Sequence, residues 1–357
     1  MGLKLVVACG GTGGHAFPGL AAAKELASRG HDVTVWMSGR DVESSVLKGW
    51  EGPVFATGAR QLSVKNAFAN LCAILRCRKE MRLSKPDALL AMGSYSSLPP
   101  VLAACWRKVP VVLHEANTIP GRAVDMLSSM AKAVAISFEE TACRFPGTET
   151  VLTGLPVRTD IAGQSRFDDV PEDAFCVFVT GGSQGAHRVN EIASKALVLL
   201  SKDLAKVGRK LHVIHQTGVK DVEWVAKMYA EAGISARVNA FEHEMGRAMA
   251  TANVVVARAG ASTCFELALT GTPAFLVPLP SAMRNHQHYN ASAFAAKLAA
   301  AEGKQDELTP GALAKWLFNK SEHPASLLSM SENMKSMAVP DAAGRVADLV
   351  ERIAKGK

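Results

Sequence analysis

Three short glycine-rich segments carry most of the chemistry available to this chain. The first, Gly10-Gly11-Thr12-Gly13-Gly14-His15, follows the apolar stretch Leu3–Ala8 and precedes a run of helical composition, Ala16 to Leu26. Its glycines leave main-chain N–H groups bare and let another molecule approach the backbone closely. A strand, a glycine turn and a helix N-terminus in succession make a site for negative charge. His15 closes the turn and is the side chain in it that titrates near neutral pH, so it is a candidate general base. The second segment, Gly181-Gly182-Ser183-Gln184-Gly185, repeats the device and adds a hydroxyl; its plainer reading is an ordinary strand-to-helix turn. The third is Arg258-Ala259-Gly260-Ala261-Ser262-Thr263-Cys264-Phe265-Glu266. Taken alone, Ser262 or Thr263 with Glu266 reads as a capping box, although the same carboxylate could grip a ribose diol.

Two further clusters suit polar ligands. His114-Glu115-Ala116-Asn117 follows a strand directly, and Arg284-Asn285-His286-Gln287-His288-Tyr289-Asn290 opens a helix after Pro278-Leu279-Pro280. The pair His286 and His288 lacks a carboxylate partner at metal-ligand spacing, so no metal site is expected there. His212 and His215 fall in or beside a strand and read as structural. Gly11-x-Gly13-x-x-Ala16 also matches a dinucleotide fingerprint. The strand Val33–Trp36, however, is followed by Met37 to Arg40 with no carboxylate before Asp41. Arg40 could suit a 2′-phosphate, which keeps an NADP dehydrogenase as an alternative.

Positioning these turns requires strands that end where the glycines begin. Apolar runs at Leu3–Ala8, Val33–Trp36, Ala88–Leu90, Val111–Leu113, Val134–Ile136 and Val151–Leu152 alternate with helical stretches near 16–29, 65–82, 96–107 and 120–130. After a polar stretch from Gly163 to Asp173 the pattern restarts, with strands at Phe175–Thr180, Leu211–Ile214, Arg237–Ala240, Val254–Ala257 and Ala274–Val277 and a helix from about Val189. This alternation predicts an α/β chain of two doubly wound, Rossmann-like parallel-sheet domains facing each other across a cleft. The domains are placed at 1–155 and 156–338. An amphipathic helix within 339–357 is free to pack on either, the first included.

At 357 residues, 48% hydrophobic and 20% charged, the composition is that of a soluble globular protein of two domains. Met1–Ala8 reads as a first strand rather than a leader. The seven scattered cysteines read as reduced thiols. Aromatic residues are 6% and no nucleic-acid motif appears, so no nucleic-acid partner is expected. The net charge of +7 is concentrated: Arg60, Lys65, Arg76, Arg78, Lys79, Arg82 and Lys85 oppose only Glu80 in that stretch. Phe68, Leu71 and Leu75 lie on one helical face among them, which on spacing alone reads as a core-facing stripe with a solvated basic back. A helix lying on an anionic membrane is the alternative.

Six ordered segments carry a family resemblance: GGTGGH at 10–15, HEAN at 114–117, GLPVR at 154–158, GGSQGA at 181–186, RAGAST at 258–263 with Glu266, and NHQHYNA at 285–291. Together they resemble the bacterial MurG-type N-acetylglucosaminyltransferases that make lipid II. The resemblance implies a GT-B fold and inverting transfer of N-acetylglucosamine from UDP-N-acetylglucosamine to the C4 hydroxyl of lipid I. It implies no cofactor or required metal, and a peripheral location on an anionic membrane surface, the cytoplasmic face of the inner membrane. By matching positions, it places Thr12, Gly13 and Gly14 near the donor sugar and diphosphate, and Asn117 and Gln287 on the sugar. Arg158 would reach the nucleotide, Ser183 phosphate, and the backbone at Glu242 uracil. Ala261, Ser262, Thr263, Cys264, Phe265 and Glu266 would cradle diphosphate and ribose. His15 is the expected base, with Glu115 and His114 as rivals; Tyr95 and His114 would lie on the acceptor side. The chain departs from the family pattern at Leu155, where asparagine is common, and in the acceptor-side loop Gly93–Pro100. A UDP-N-acetylglucosamine epimerase, or a transferase with another lipid acceptor, is the alternative.

Overall fold

The computed structural model describes residues 2–11, 13–39, 47, 49–158, 160–182 and 184–356. Thr12, Arg40, Asp41 and Ser183, named above, lie outside them. The chain divides into two compact units, Met1–Arg158 with Val339–Lys357, and Thr159–Ala338.

The first unit is built on a parallel sheet of seven strands: β1 Lys4–Ala8, β2 Asp32–Met37, β3 Val54–Ala56, β4 Ala88–Ala91, β5 Val111–Glu115, β6 Ala133–Ile136 and β7 Glu149–Leu152, in the order β3-β2-β1-β4-β5-β6-β7. The strands read as unbroken apolar runs because both faces are covered. Leu5 and Val7 pack with the helix Gly13–Ser28 and with Val346 and Val350 of the last helix, Ala342–Ala354. Val6 and Ala8 face the other way, towards Cys77, Met81, Val101 and Ala104. The second unit repeats the plan with β8 Ala174–Thr180, β9 Lys210–Gln216, β10 Ser235–Asn239, β11 Val254–Ala257, β12 Ala274–Leu276 and β13 Ala300–Glu302, in the order β10-β9-β8-β11-β12-β13. Every pairing in both sheets is parallel.

The structure corrects the expected orientation of the basic segment. A 3-10 turn, Val64–Asn66, leads into the helix Ala67–Ser84, whose buried residues are Asn70, Ala73, Cys77 and Met81. Phe68 is 77% exposed and Leu71 and Leu75 are 49% exposed, so the apolar stripe faces outward. Asn70, Ala73, Cys77 and Met81 form the inward face, along which this helix packs on the helix Leu98–Arg107, and Phe68, Leu71 and Leu75 are left outside. The short edge strands β3 and β13 were not anticipated; three residues each carry too little pattern to register.

Arg29 is a centre of the polar contacts that tie the last helix to the first unit. Arg29 donates to Glu25 at 2.8 Å, Asp348 at 2.6 Å, Glu351 at 3.0 Å and the Gly344 carbonyl at 3.2 Å. The bond from Arg29 is the largest influence on Glu351 and helps hold its carboxyl down at about 2. Arg29→Ala should therefore destabilise the chain by about 1–2 kcal/mol, more than an isolated surface pair. Thermal unfolding checks this; an unchanged Tm would mean that apolar packing alone docks the helix.

Candidate active site

In the first unit, the ends of three adjacent strands gather the expected residues. The helix after β1 begins at Gly13, three residues earlier than expected, so Gly13, Gly14 and His15 form its first turn. N–H groups in a first turn have no acceptor within the helix. Gly11, at φ 115°, lies against the loop after β4: a methyl group on it would come 2.5 Å from the Ser94 Oγ. Ser96 fixes the same contact by donating to the Gly10 carbonyl at 2.5 Å. Gly93 and Ser94 both take positive φ, 84° and 67°, which is strained backbone for serine. A Cβ on Gly93 would lie 3.5 Å from His15 Cδ2 and 3.6 Å from the His114 carbonyl. His15, the Gly93–Ser97 loop and the end of β5 are thus immediate neighbours. Tyr95 stands half-buried in the 3-10 turn Tyr95–Ser97 of that loop.

The two rivals to His15 are committed elsewhere. His114 is 1% exposed, with Nε2 at 3.1 Å from the Gly154 carbonyl, to which it donates. Its Nδ1 is buried with no hydrogen-bond partner among the described residues. Burial pushes the ring down to about 4, so it is neutral at pH 7 and a weak base. Glu115 is also buried, which pushes its carboxyl up. Oε1 accepts from the Asn117 N–H at 2.9 Å and side-chain amide at 3.1 Å, and Oε2 from the Gly121 N–H at 2.9 Å. Glu115 is a clasp that presents Asn117. Arg158 lays its guanidinium over the Phe17 ring at 5.5 Å.

In the second unit, the Gly181–Gly185 turn is shaped first by backbone packing. A Cβ on Gly181 would meet Ala186 N at 2.3 Å, and one on Gly185 the Thr217 carbonyl at 2.1 Å. The Gly182 N–H donates to Thr180 Oγ1 at 3.2 Å, and its carbonyl accepts from Gly185 N–H at 2.8 Å and Gln216 Nε2 at 3.2 Å. The Gly182 and Gly185 amides are thus spent inside the turn, and the helix His187–Lys206 that follows brings first-turn N–H groups with no acceptor inside the helix.

The third turn overturns the capping-box reading. The N-cap of the helix Ala261–Thr270 is Gly260, with no side-chain cap bond, and Ser262 and Thr263 are its second and third residues. A box needs its serine or threonine at the N-cap itself. Instead Ser262, Thr263 and Glu266 are half-buried beside an uncapped helix N-terminus. Cys264 and Phe265 are buried, the latter edge-on to Phe294 at 6.0 Å, so only their backbone can serve a ligand. Buried Arg258 donates to the Val277 and Pro278 carbonyls, both at 3.1 Å, and sews the end of β11 to the loop after β12. In that loop the Leu279 N–H donates to Gln287 Oε1 at 3.0 Å and orients its amide. Glu242 is buried; it accepts from the Glu244 N–H at 2.9 Å and Asn239 Nδ2 at 3.0 Å. His212 and His215 are buried. Among the described residues no group of three or more His, Cys, Asp or Glu could hold a metal ion.

Away from the strand ends, Leu75, Arg78, Lys79, Arg82 and Arg107 line a recess of about 340 Å³. Arg78 stacks on Trp106 at 4.8 Å, and Trp106 is 58% exposed. Among the described residues no helix is long and apolar enough to cross a membrane.

Comparison with known proteins fits this geometry. Residues 5–136 match the glycosyltransferase family 28 N-terminal domain, and residues 176–346 its C-terminal domain. The two sheets and their strand-end turns are those of a GT-B glycosyltransferase. The UDP-N-acetylglucosamine--N-acetylmuramyl-(pentapeptide) pyrophosphoryl-undecaprenol N-acetylglucosamine transferase of Geobacter metallireducens is 37% identical, over 97% of both chains. That of Myxococcus xanthus is 35% identical, over 97% of this chain and 92% of its own. The crystal structure of Acinetobacter baumannii MurG superposes with a TM-score of 0.80 at 31% identity, covering 99% of this chain and 100% of that one. A putative UDP-N-acetylglucosamine 2-epimerase from Listeria monocytogenes shares the fold, with a TM-score of 0.77 at 11% identity over 100% and 98%. The chain belongs to the MurG family of N-acetylglucosamine transferases.

The buried histidines give this chain a pH signature. Burial lowers His114 to about 4 and His215 to about 3, against roughly 6.5 in the unfolded chain. As pH falls below that value, the unfolded chain takes up protons first. The stability contributed by keeping these rings neutral is present above it and lost on the way down to about 4. Urea unfolding at pH 7 and pH 5 should give a lower unfolding free energy at pH 5. A flat profile would contradict the burial of these rings.

Proposed function

We propose that the chain transfers N-acetylglucosamine from UDP-N-acetylglucosamine to the C4 hydroxyl of the muramic acid of undecaprenyl-diphosphate-linked lipid I, giving lipid II. The observation that carries this reading is that the described residues of five of the six family segments lie at strand ends of the two sheets, while the sixth opens the helix His286–Ala296, whose Gln287 accepts from the loop after β12. In the second unit the uncapped N-terminus of the Ala261–Thr270 helix meets the diphosphate, with Ser262 and Thr263 beside it and Glu266 on the ribose hydroxyls. The backbone at Glu242 reads uracil, Gln287 holds the sugar, and Arg158 and Ser183 contact the nucleotide and its phosphate. In the first unit Gly13, Gly14 and Asn117 offer donors to the sugar, and His15 faces the acceptor with the Tyr95 loop.

The chemistry is a single displacement. The C4 oxygen attacks the anomeric carbon as its proton passes to His15, and the bond from that carbon to the diphosphate oxygen breaks. The electron pair leaves with UDP, and the anomeric centre inverts. Helix N-terminal amides stabilise the charge gathering on the leaving diphosphate.

The acceptor hangs from a bilayer, and the outward stripe of Phe68, Leu71 and Leu75 among Arg76, Arg78 and Lys79 suits a peripheral anchor on an anionic cytoplasmic leaflet. Reversing the charge of Arg76, Arg78 and Lys79 should weaken binding to phosphatidylglycerol vesicles at least tenfold, since each basic residue contributes about 1 kcal/mol. Unchanged vesicle binding would remove this face from the role.

The reading as a whole is tested with labelled UDP-N-acetylglucosamine, with and without lipid I. Labelled lipid product is expected only with acceptor. Free sugar or an epimer formed without it would favour the epimerase reading. His15→Ala should lower kcat by about 10²–10⁴ with the donor KM little changed; near-normal turnover would assign the base elsewhere.

A further inference from the structure

One buried polar cluster of the second unit has no task in this chemistry. Asp221, just before the helix Val222–Glu231, is 6% exposed. Its Oδ1 accepts from His187 Nδ1 and Trp224 Nε1, both at 2.9 Å, and its Oδ2 from Asn190 Nδ2 at 2.7 Å. Asn190 also donates to the Thr217 carbonyl at 2.8 Å, and its Oδ1 faces His215 Nε2 at 3.1 Å. His215 Nδ1 lies 2.8 Å from the Tyr229 hydroxyl. Asn190 and His215 are fully buried, so each of these bonds would be costly to leave unmade.

The cluster joins two segments that are far apart in sequence. His187 and Asn190 are the first and fourth residues of the helix that leaves the Gly181–Ala186 turn. Thr217 and Asp221 belong to the loop after β9. Between them the backbones touch: a Cβ on Gly218 would lie 2.6 Å from the Gln184 carbonyl and 3.0 Å from Gly185 Cα. The carboxylate therefore fixes the start of the helix against this loop, with the glycine turn caught between.

We propose that Asp221 is a positioning residue for the nucleotide-sugar donor: by holding His187 and Asn190 it sets where the Gly181–Ala186 turn presents its helix amides to the diphosphate. This rests on the donor reading given above. Asparagine at 221 keeps the shape but retains one acceptor oxygen and turns an NH2 group towards existing donors. His187 is 67% exposed, so its truncation leaves the core intact.

The test is UDP binding by calorimetry, with steady-state kinetics, on the full chain and on Asp221→Asn, His187→Ala and the double variant. The UDP Kd should rise about tenfold in Asp221→Asn, because small displacements of positioning groups are costly. It should rise by a smaller factor in His187→Ala, and the double variant should be no worse than Asp221→Asn, because the two share one path. The kcat at saturating donor and the KM for lipid acceptor should stay within about twofold of the parent. Wild-type UDP affinity in Asp221→Asn would overturn the proposal, as would a parallel loss in kcat and acceptor KM, which marks general damage. Should Asp221→Asn fail to fold, unchanged UDP affinity in His187→Ala overturns it. Failure of the parent chain itself to bind UDP would instead overturn the donor reading, and this proposal with it.

Discussion

Everything in this molecule depends on the parallel direction of its strands. A parallel strand buried on both faces must hand its chain to a helix that returns over the sheet, so each helix opens at the carboxyl edge of the strand before it. In each unit that edge therefore collects helix N-termini, whose N–H groups lack internal acceptors. Anion-binding backbone is a consequence of the topology, and side chains need only select which anion and what lies beside it.

Glycine serves this plan in a narrower way than its abundance suggests. Gly181 and Gly185 are required by contact with neighbouring backbone, and Gly11 by Ser94. Two amides of the second turn, those of Gly182 and Gly185, are spent on internal bonds. The helices that follow add first-turn N–H groups with no acceptor inside the helix. Buried side chains then hold the turns in place: Glu115 presents Asn117, Arg258 ties β11 to the loop that orients Gln287, and Asp221 secures the turn after β8. In the proposed site half-buried residues meet the substrate, and buried charged ones set their aim.

Much of this was legible from the chain alone. Continuous apolar runs revealed most of the strands, and the glycine segments after them marked the strand-end turns where the proposed site lies, because both signals are local. What escaped was set by partners distant in sequence. The helix Ala67–Ser84 turns Asn70, Ala73, Cys77 and Met81 inward, and spacing alone favoured the stripe of Phe68, Leu71 and Leu75. Ser262 and Thr263 sat where a capping box could be written, until the helix began one residue after Gly260. Asp221 carried no signal, since its partner His187 is 34 residues away.

The central claim is that the donor's uracil, ribose and diphosphate are held by the strand ends of the second unit, and the acceptor and the base by the first. Hydrogen–deuterium exchange with and without saturating UDP tests this most directly. Slowed exchange at the starts of the helices His187–Lys206 and Ala261–Thr270 and around Glu242, with the helix Ala67–Ser84 unchanged, is the result the account predicts. Protection confined to the segment after β1, with the second unit unaffected, would contradict it.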